Sequence, residues 1–313
     1  MWFDTGLGQI YHPRAIGQRQ GRLMFRILSL LPVIIPLLAI GCDRSSTTVA
    51  TPATTRALTV ASLSPAATEI LIGMGAGDRL VAISNFDPRR QATKDLPRVG
   101  DYQTTDWEQL AKLRPSVMVT QFAKERLPAG LVQKSRDLGI DLVNVPITRL
   151  DDIDTAMLTL GRAIGAPGAG ELAVAQLKQK LAAVTASSAG RKVRALIVID
   201  DSGREVVGRD NYLNDVLEIA GGSNVVQPGP SPYPSIDPEI LADLNPEVIF
   251  QLLPDASPQV MARAKQFWAS MPNLDAVRNG RVHIMNDPLF MQPTQHVADL
   301  AEQFAAGMAA VRQ

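Results

Sequence analysis

A 14-residue passage occurs twice in this chain, 131 positions apart, and it constrains the fold more than any other feature of the sequence. Residues 106–119 read DWEQLAKLRPSVMV and residues 237–250 read DPEILADLNPEVIF, with identical residues at seven positions. In the first copy Asp106 is typical of a helix N-cap, and Pro115 ends the helix and leads into a strand. We therefore expect one helix-to-strand unit at equivalent places of two similar lobes.

Predicted strands alternate with helices around the first copy, which indicates an α/β protein. The dipeptide Ser64-Pro65 is typical of the first turn of a helix, because proline is well tolerated there. Strands are predicted at residues 58–63, 80–84, 116–119 and 140–145. Short loops between strands and helices predict a parallel sheet with right-handed crossovers.

The alternation stops in the middle of the chain, where two helices are predicted with no strand between them. These segments are residues 153–164 and 171–186, on either side of the sequence GAPGAG. At about 1.5 Å per residue the second helix spans about 25 Å, which is enough to bridge two lobes. The predicted organisation is an N-terminal α/β lobe at residues 57–148, connecting helices at 149–190 and a C-terminal α/β lobe at 191–313.

The N-terminal segment has the composition of an export signal. Four arginines precede the uncharged run ILSLLPVIIPLLAIG, and 15 residues with two prolines are too few to span a bilayer as a helix. Residues 1–41 are therefore predicted to be a secretory signal peptide, with Met24 as an alternative start. Residues 42–56 are rich in Ser and Thr and are predicted to form a flexible tether.

The signal segment ends at AIGC, and Cys42 is the only cysteine of the chain. This ending resembles the lipobox of bacterial lipoproteins, although Ala39 replaces the usual Leu or Val. The resemblance implies that Cys42 is lipidated and becomes the new N-terminus. The protein would then be extracytoplasmic, anchored to a membrane in the periplasm or at the cell surface. An ordinary signal peptide with an incidental cysteine is the alternative.

Charge and motif content argue against several classes of function. Without residues 1–41 the chain has 27 basic and 30 acidic residues, and this mildly acidic balance argues against a nucleic-acid partner. Only two histidines remain, and neither GxSxG nor HExxH occurs. We therefore predict no catalytic residues, no bare-metal site and no cofactor. Asp200 and Asp201 follow a predicted strand, where they could bind a ligand or form a solvated turn.

Several phrases, taken in order, resemble those of a known transport family. They are SLSPAATEIL, LPRVGDY, WEQLAKLRPSVMV, VLEIAGGSNVV and MPNLDAVRNGRVHIM. They are similar to the helical-backbone metal-receptor group of ABC-transporter substrate-binding proteins, which serves vitamin B12, ferric siderophores and haem. The resemblance implies two Rossmann-like lobes with central parallel sheets, joined by a single long α-helix, with a ligand cleft between them. It also implies a monomer that delivers a metal chelate to an ABC permease dimer and its ATPase. A membrane-tethered enzyme or sensor that reuses this fold is a further alternative.

Within this group the sequence is most similar to the vitamin B12-binding periplasmic proteins, so a cobalamin or corrinoid ligand is expected. The resemblance implies ligand contacts from the aromatic residues Phe86, Tyr102 and Tyr233 and from the acidic residue Asp287. A large planar ligand is bound well by aromatic faces and few charges. The alternative is that these aromatic rings pack in the core or in loops.

Two departures from the family pattern leave a ferric siderophore or haem as alternative ligands. Gln121, next to Phe122, replaces an expected Trp, and Gln295 and His296 stand where an arginine is usual. With these ligands Tyr102 or His296 would make the closer contact.

The family also presents one glutamate from each lobe to arginines of the permease. Glu108 and Glu239 match those positions, and both lie in the duplicated passage. The alternative is that each glutamate only complements its helix dipole, an effect of about 0.3–1 kcal/mol.

Overall fold

The computed structural model describes residues 58–101 and 103–312. These residues contain two four-stranded parallel sheets. The first sheet has the order β2-β1-β3-β4, and helices connect its strands. The elements of this N-terminal lobe are β1 Val60–Ser62, α1 Pro65–Gly73, β2 Leu80–Ala82, α2 Trp107–Leu113, β3 Val117–Thr120, α3 Ala129–Asp137 and β4 Asp141–Asn144.

Two helices, α4 Leu150–Ala163 and α5 Pro167–Ser187, lead to the second lobe. The second sheet has the order β6-β5-β7-β8 and is also parallel throughout. Its elements are β5 Val193–Val198, α6 Tyr212–Ile219, β6 Gly222–Asn224, α7 Pro238–Leu244, β7 Val248–Leu252, α8 Pro258–Ala269, α9 Asp275–Arg278, β8 Val282–Met285 and α10 Val297–Arg312. The prediction of two α/β lobes with parallel sheets is confirmed.

The duplicated passage forms α2 and β3 in one lobe and α7 and β7 in the other, so both copies occupy equivalent places in identical strand orders. Each helix ends at a residue in the left-handed region, Arg114 with φ 48° and Asn245 with φ 38°. A proline follows each of these residues and prevents the helix from continuing. Leu110 and Leu241, identical in the two copies, are both buried, and each belongs to a small hydrophobic cluster of its own lobe.

One hydrophobic core runs through both lobes, whereas each lobe has a smaller core of its own on the other face of its sheet. The shared core contains Ile70 of α1, Met157 of α4, Leu177 of α5, Val216 of α6 and Phe304 of α10. Moving the lobes apart would expose this apolar surface to water, which is unfavourable. The shared core therefore opposes large movements of one lobe relative to the other.

The connection between the lobes is a pair of packed helices. The 21 residues of α5 span about 31 Å, and this helix packs against α4, α6 and α10. The long connecting helix is therefore present as predicted, and α4 adds contacts to α1 of the first lobe and α6 of the second.

Within the described residues, no helix is long and apolar enough to cross a membrane. Residues 1–57 lie outside this part of the chain, and with them the predicted signal peptide, the tether and Cys42. Tyr102 also lies outside the described residues.

Candidate functional site

The candidate site is formed by loops that follow the carboxyl ends of the strands, where open α/β sheets bind ligands. In the first lobe these loops follow β2 and β3 and contain Phe86, Gln121 and Phe122. In the second lobe they follow β6 and β8 and contain Tyr233 and Asp287. The sequence-predicted contacts that are described thus all lie on loops of this kind.

Phe86 lies in a tight turn, and its side chain is exposed. Its side chain is 55% exposed, although Ser84 and Asp87 on either side are buried. The Ser84 amide donates to Asp87 Oδ2 at 2.7 Å, and the Phe86 amide donates to Ser84 Oγ at 3.0 Å. These bonds fix the backbone of the turn, so the exposure of the ring follows from the local structure. Burial is the main cause that raises the pKa of Asp87.

The guanidinium of Arg98 joins this turn to the next part of the chain. Its Nη1 donates to the carbonyl oxygens of Ser84 and Asn85 at 2.8 and 2.9 Å, and its Nη2 donates to the Asp87 carbonyl at 3.0 Å. Sequence reasoning missed this residue, because its partners are 11 to 14 positions away and no local pattern marks them.

The segments on either side of Tyr102 are attached to the same turn. Asp101 accepts from the amides of Gln103 at 2.7 Å and Thr104 at 2.8 Å, and it accepts from Asn85 Nδ2 at 3.0 Å. The Thr104 amide is the main cause that lowers the pKa of Asp101. Gly100 has φ 125°, and a Cβ there would lie 2.1 Å from the Thr104 carbonyl oxygen, so glycine is required.

The loop after β3 is fixed by side-chain amides. Asn144, at the end of β4, accepts from the Phe122 amide at 2.8 Å and donates to the Phe122 carbonyl at 2.9 Å. Gln121 accepts from Ser64 Oγ at 2.7 Å. Gln121, which replaces the expected Trp, and the backbone of the adjacent Phe122 are therefore held by polar contacts, and the Phe122 side chain packs against the core of its lobe.

Tyr233 lies on a segment that runs beside residues 204–208. The Gly208 amide donates to the Pro232 carbonyl at 2.8 Å, and the Val206 amide donates to the Pro234 carbonyl at 3.0 Å. A Cβ on Gly208 would lie 2.9 Å from the Ser231 carbonyl oxygen, so glycine permits this close approach. With its neighbours fixed, the ring of Tyr233 remains 40% exposed.

Asp287 and Asp200 each have structural partners in their own loops. Asp287 Oδ1 accepts from the Leu289 amide at 2.9 Å. Asp200 Oδ1 accepts from the amides of Arg204 and Glu205, both at 3.0 Å. Asp287 is exposed, whereas the contacts of Asp200 favour the turn interpretation.

His296 lies at the end of the loop that follows β8, next to the start of α10, at the junction of the lobes. Its Nδ1 is 3.1 Å from Asp299 Oδ2, and its Nε2 is 3.9 Å from Glu69 Oε2 on α1. The adjacent Gln295 donates to the Glu69 carbonyl at 3.0 Å. Arg90, three positions after Asp87, forms an ion pair with Glu69. This polar cluster links the second lobe to α1 and to the segment that follows the Phe86 turn.

Glu69 should make stability depend on pH. Burial raises its pKa above the usual 4.5, although Arg90 and His296 oppose the shift. Between 4.5 and the raised pKa, the folded protein retains a proton that the unfolded chain has released, so this contribution to stability is lost as pH rises. The Glu69→Gln variant has no carboxyl to titrate at this position. Its free energy of unfolding, relative to that of the wild type, should therefore increase as the pH rises from 4.5 to the raised pKa of Glu69.

Urea denaturation of both proteins at several pH values measures this difference. Glu302→Gln is a matched control, because Glu302 is exposed on α10. A stability difference between Glu69→Gln and wild type that does not change with pH would contradict the expected titration of Glu69.

Glu108 and Glu239 occupy the second position of α2 and α7. Both side chains are exposed, and neither forms an ion pair among the described residues. The two lobes thus present one carboxylate each from equivalent helices.

Comparison with known proteins identifies the family. The model of the periplasmic binding protein family matches residues 60–289. The chain belongs to this family. A vitamin B12-binding protein of Vibrio cholerae is 26% identical over 245 residues, which are 78% of this chain and 86% of the relative. One of Vibrio parahaemolyticus is 29% identical over 237 residues, which are 75% of this chain and 83% of the relative.

Solved structures agree with this assignment. The periplasmic vitamin B12 binding protein of Vibrio cholerae has a TM-score of 0.69 at 25% identity, with 82% of this chain and 98% of the other covered. A periplasmic heme binding protein of Pseudomonas aeruginosa has the same TM-score at 22% identity, with 82% and 94% covered, and shares the fold. This periplasmic binding protein is a substrate-binding protein of the ABC importer type and not an enzyme.

Proposed function

We propose that this periplasmic binding protein captures cobalamin or a related corrinoid and delivers it to an ABC permease dimer with its ATPase. The exposed aromatic side chains of Phe86 and Tyr233 carry this proposal. They lie on loops that follow β2 and β6, the equivalent edge strands of the two sheets. One aromatic face from each lobe suits a broad ligand with apolar faces held between them.

The proposal assigns the polar edge of the ligand to Asp287 and a third aromatic contact to Tyr102. Asp287 is exposed, and its Oδ1 is oriented by the Leu289 amide, which leaves Oδ2 for a ligand amide. The sequence relatives named as vitamin B12-binding proteins support a corrinoid as the ligand.

The proposal includes a lipid anchor at Cys42, which would keep the protein at a membrane outside the cytoplasm. The composition of residues 42–56 predicts a flexible tether, and a flexible chain of 15 residues has a root-mean-square length of roughly 20 Å. This reach allows the binding protein to search the membrane surface for its permease while it stays attached. Mass spectrometry of the purified mature N-terminus tests the modification.

Docking on the permease is assigned to Glu108 and Glu239. Their exposure, their equivalent positions in the two lobes and their lack of ion pairs among the described residues support this role. Two equivalent carboxylates suit two equivalent permease subunits that present arginines.

A ferric siderophore or haem is the alternative ligand within the same fold. Tyr102 or His296 would then make the closer contact. Both ring nitrogens of His296 face carboxylates, Nδ1 at 3.1 Å from Asp299 Oδ2 and Nε2 at 3.9 Å from Glu69 Oε2, and this arrangement gives haem no specific support.

Calorimetric titration with cyanocobalamin, haemin and a ferric hydroxamate tests the ligand. Cyanocobalamin should bind, and Phe86→Ala, Tyr102→Ala and Tyr233→Ala should each weaken its binding by roughly 1–3 kcal/mol, the scale of a buried aromatic contact. The fold should be retained, because Phe86 and Tyr233 are exposed and do not belong to the buried core.

Leu172→Ala is the matched control, because Leu172 is 59% exposed on α5 and away from the loops. Unchanged affinity in all three aromatic variants would remove these rings from the site. Binding of haemin or the ferric hydroxamate without binding of cyanocobalamin would show that the ligand assignment is wrong.

A further inference from the structure

The guanidinium of Arg98 donates hydrogen bonds to the backbone of a single turn. Three carbonyl oxygens of the segment from Ser84 to Asp87 accept from its guanidinium at 2.8 to 3.0 Å. Arg98 forms no ion pair among the described residues, although its charge opposes the larger effect of burial, which raises the pKa of Asp87. These bonds therefore serve the shape of the turn and not a charge pair.

The turn held by Arg98 is the one that presents Phe86. The ring is exposed, and its direction depends on the backbone of Ser84, Asn85 and Asp87. An irregular turn without such bonds populates several conformations. Apparent affinity falls in proportion to the fraction of the protein in the binding-competent conformation.

The second lobe contains a similar arginine. Arg209 Nε donates to the Val226 carbonyl and its Nη2 donates to the Asn224 carbonyl, both at 3.0 Å. These carbonyls lie at the end of β6, which is equivalent to β2, and begin the loop that contains Tyr233. The two arginines come from different places in the sequence, yet each fixes the loop after the edge strand of its sheet.

We propose that Arg98 is a positioning residue for ligand binding, which acts by holding the Phe86 turn in its binding-competent conformation. It does not contact the ligand itself. The inference rests on the proposed function, because it requires Phe86 to contact the captured ligand.

A double-mutant cycle with cyanocobalamin tests this role. Arg98→Gln should weaken binding by about tenfold if the competent fraction falls to about one in ten. In a Phe86→Ala background the same substitution should weaken binding by less than about twofold, because the side chain through which Arg98 acts is absent. Arg98→Lys, which retains the charge and fewer donors, should fall between wild type and Arg98→Gln.

Arg79→Gln is the matched control, because Arg79 Nη1 also donates to a backbone carbonyl, that of Ile164 at 3.2 Å. Replacing Arg79 by Gln should leave the affinity for cyanocobalamin unchanged. The inference would be overturned if Arg98→Gln weakened binding equally in the wild-type and Phe86→Ala backgrounds. If Arg98→Gln does not fold, the same comparison can be made with Arg98→Lys.

Hydrogen–deuterium exchange without ligand separates this inference from the proposed function. Peptides covering residues 84–90 should exchange faster in Arg98→Gln than in wild type or Arg79→Gln. Unchanged exchange there would overturn the inference whatever the ligand. Wild-type protein that does not bind cyanocobalamin would overturn the proposed function, and the exchange result would still decide whether Arg98 holds the turn.

Discussion

Glu108→Arg combined with Glu239→Arg is expected to abolish uptake while ligand affinity stays at the wild-type value. Both carboxylates are exposed on equivalent helices, and neither lies on a loop of the candidate site. If they face permease arginines, the reversal sets like charges against each other, which can cost several kcal/mol. Uptake in cells and calorimetric affinity of the purified variant, measured side by side, test the expectation.

Single reversals should be milder, because one lobe still engages its permease subunit. Binding of wild type to the permease should weaken as salt rises, since exposed charges are screened within about 8 Å at physiological ionic strength. The matched control is Glu171→Arg with Glu302→Arg, which makes the same change of net charge at exposed positions on α5 and α10.

The alternative explanation of the two glutamates gives a different result. If they only complement the helix dipoles, the double variant should lose about 0.3–1 kcal/mol of stability for each helix and keep full uptake. Full uptake by the double variant would leave the repeat as a structural duplication without a docking role.

Gly170→Leu is expected to destabilise the protein by about 3 kcal/mol, because the α4–α5 contact cannot accept a larger side chain. A Cβ on Gly170 would lie 2.6 Å from the Met157 carbonyl oxygen, and a Cβ on Gly161 of α4 would lie 3.1 Å from the Gly170 Cα. Since α4 and α5 contribute to the core shared by both lobes, the strain would affect the connection between them. The midpoint of urea denaturation measures the loss.

Gly168→Leu is the matched control on the same helix. A Cβ there meets no atom within 4 Å, so its stability should change by no more than about 0.5 kcal/mol. Equal destabilisation by the two substitutions would contradict the proposed role of close helix packing.

The sequence alone determined the elements and their repetition. Ser64 and Asp106 cap α1 and α2 through bonds to amides only three positions away. Prolines end the helices of both copies of the repeat, and apolar runs form the buried strands. Such features could be predicted, because caps, turns and side-chain periodicity depend on residues close together in the chain.

The family resemblance of the sequence pointed to the candidate aromatic residues, but only the tertiary structure revealed the loops that carry Phe86 and Tyr233 and what holds those loops. Arg98 bonds across 11 to 14 positions, Asn144 bonds to Phe122 across 22, and Gln295 bonds to Glu69 across 226. His296, a candidate for close ligand contact in the sequence, lies at the lobe junction beside Asp299. Partners of this kind depend on how the sheets and helices pack, and no local pattern in the chain encodes which distant side chains meet.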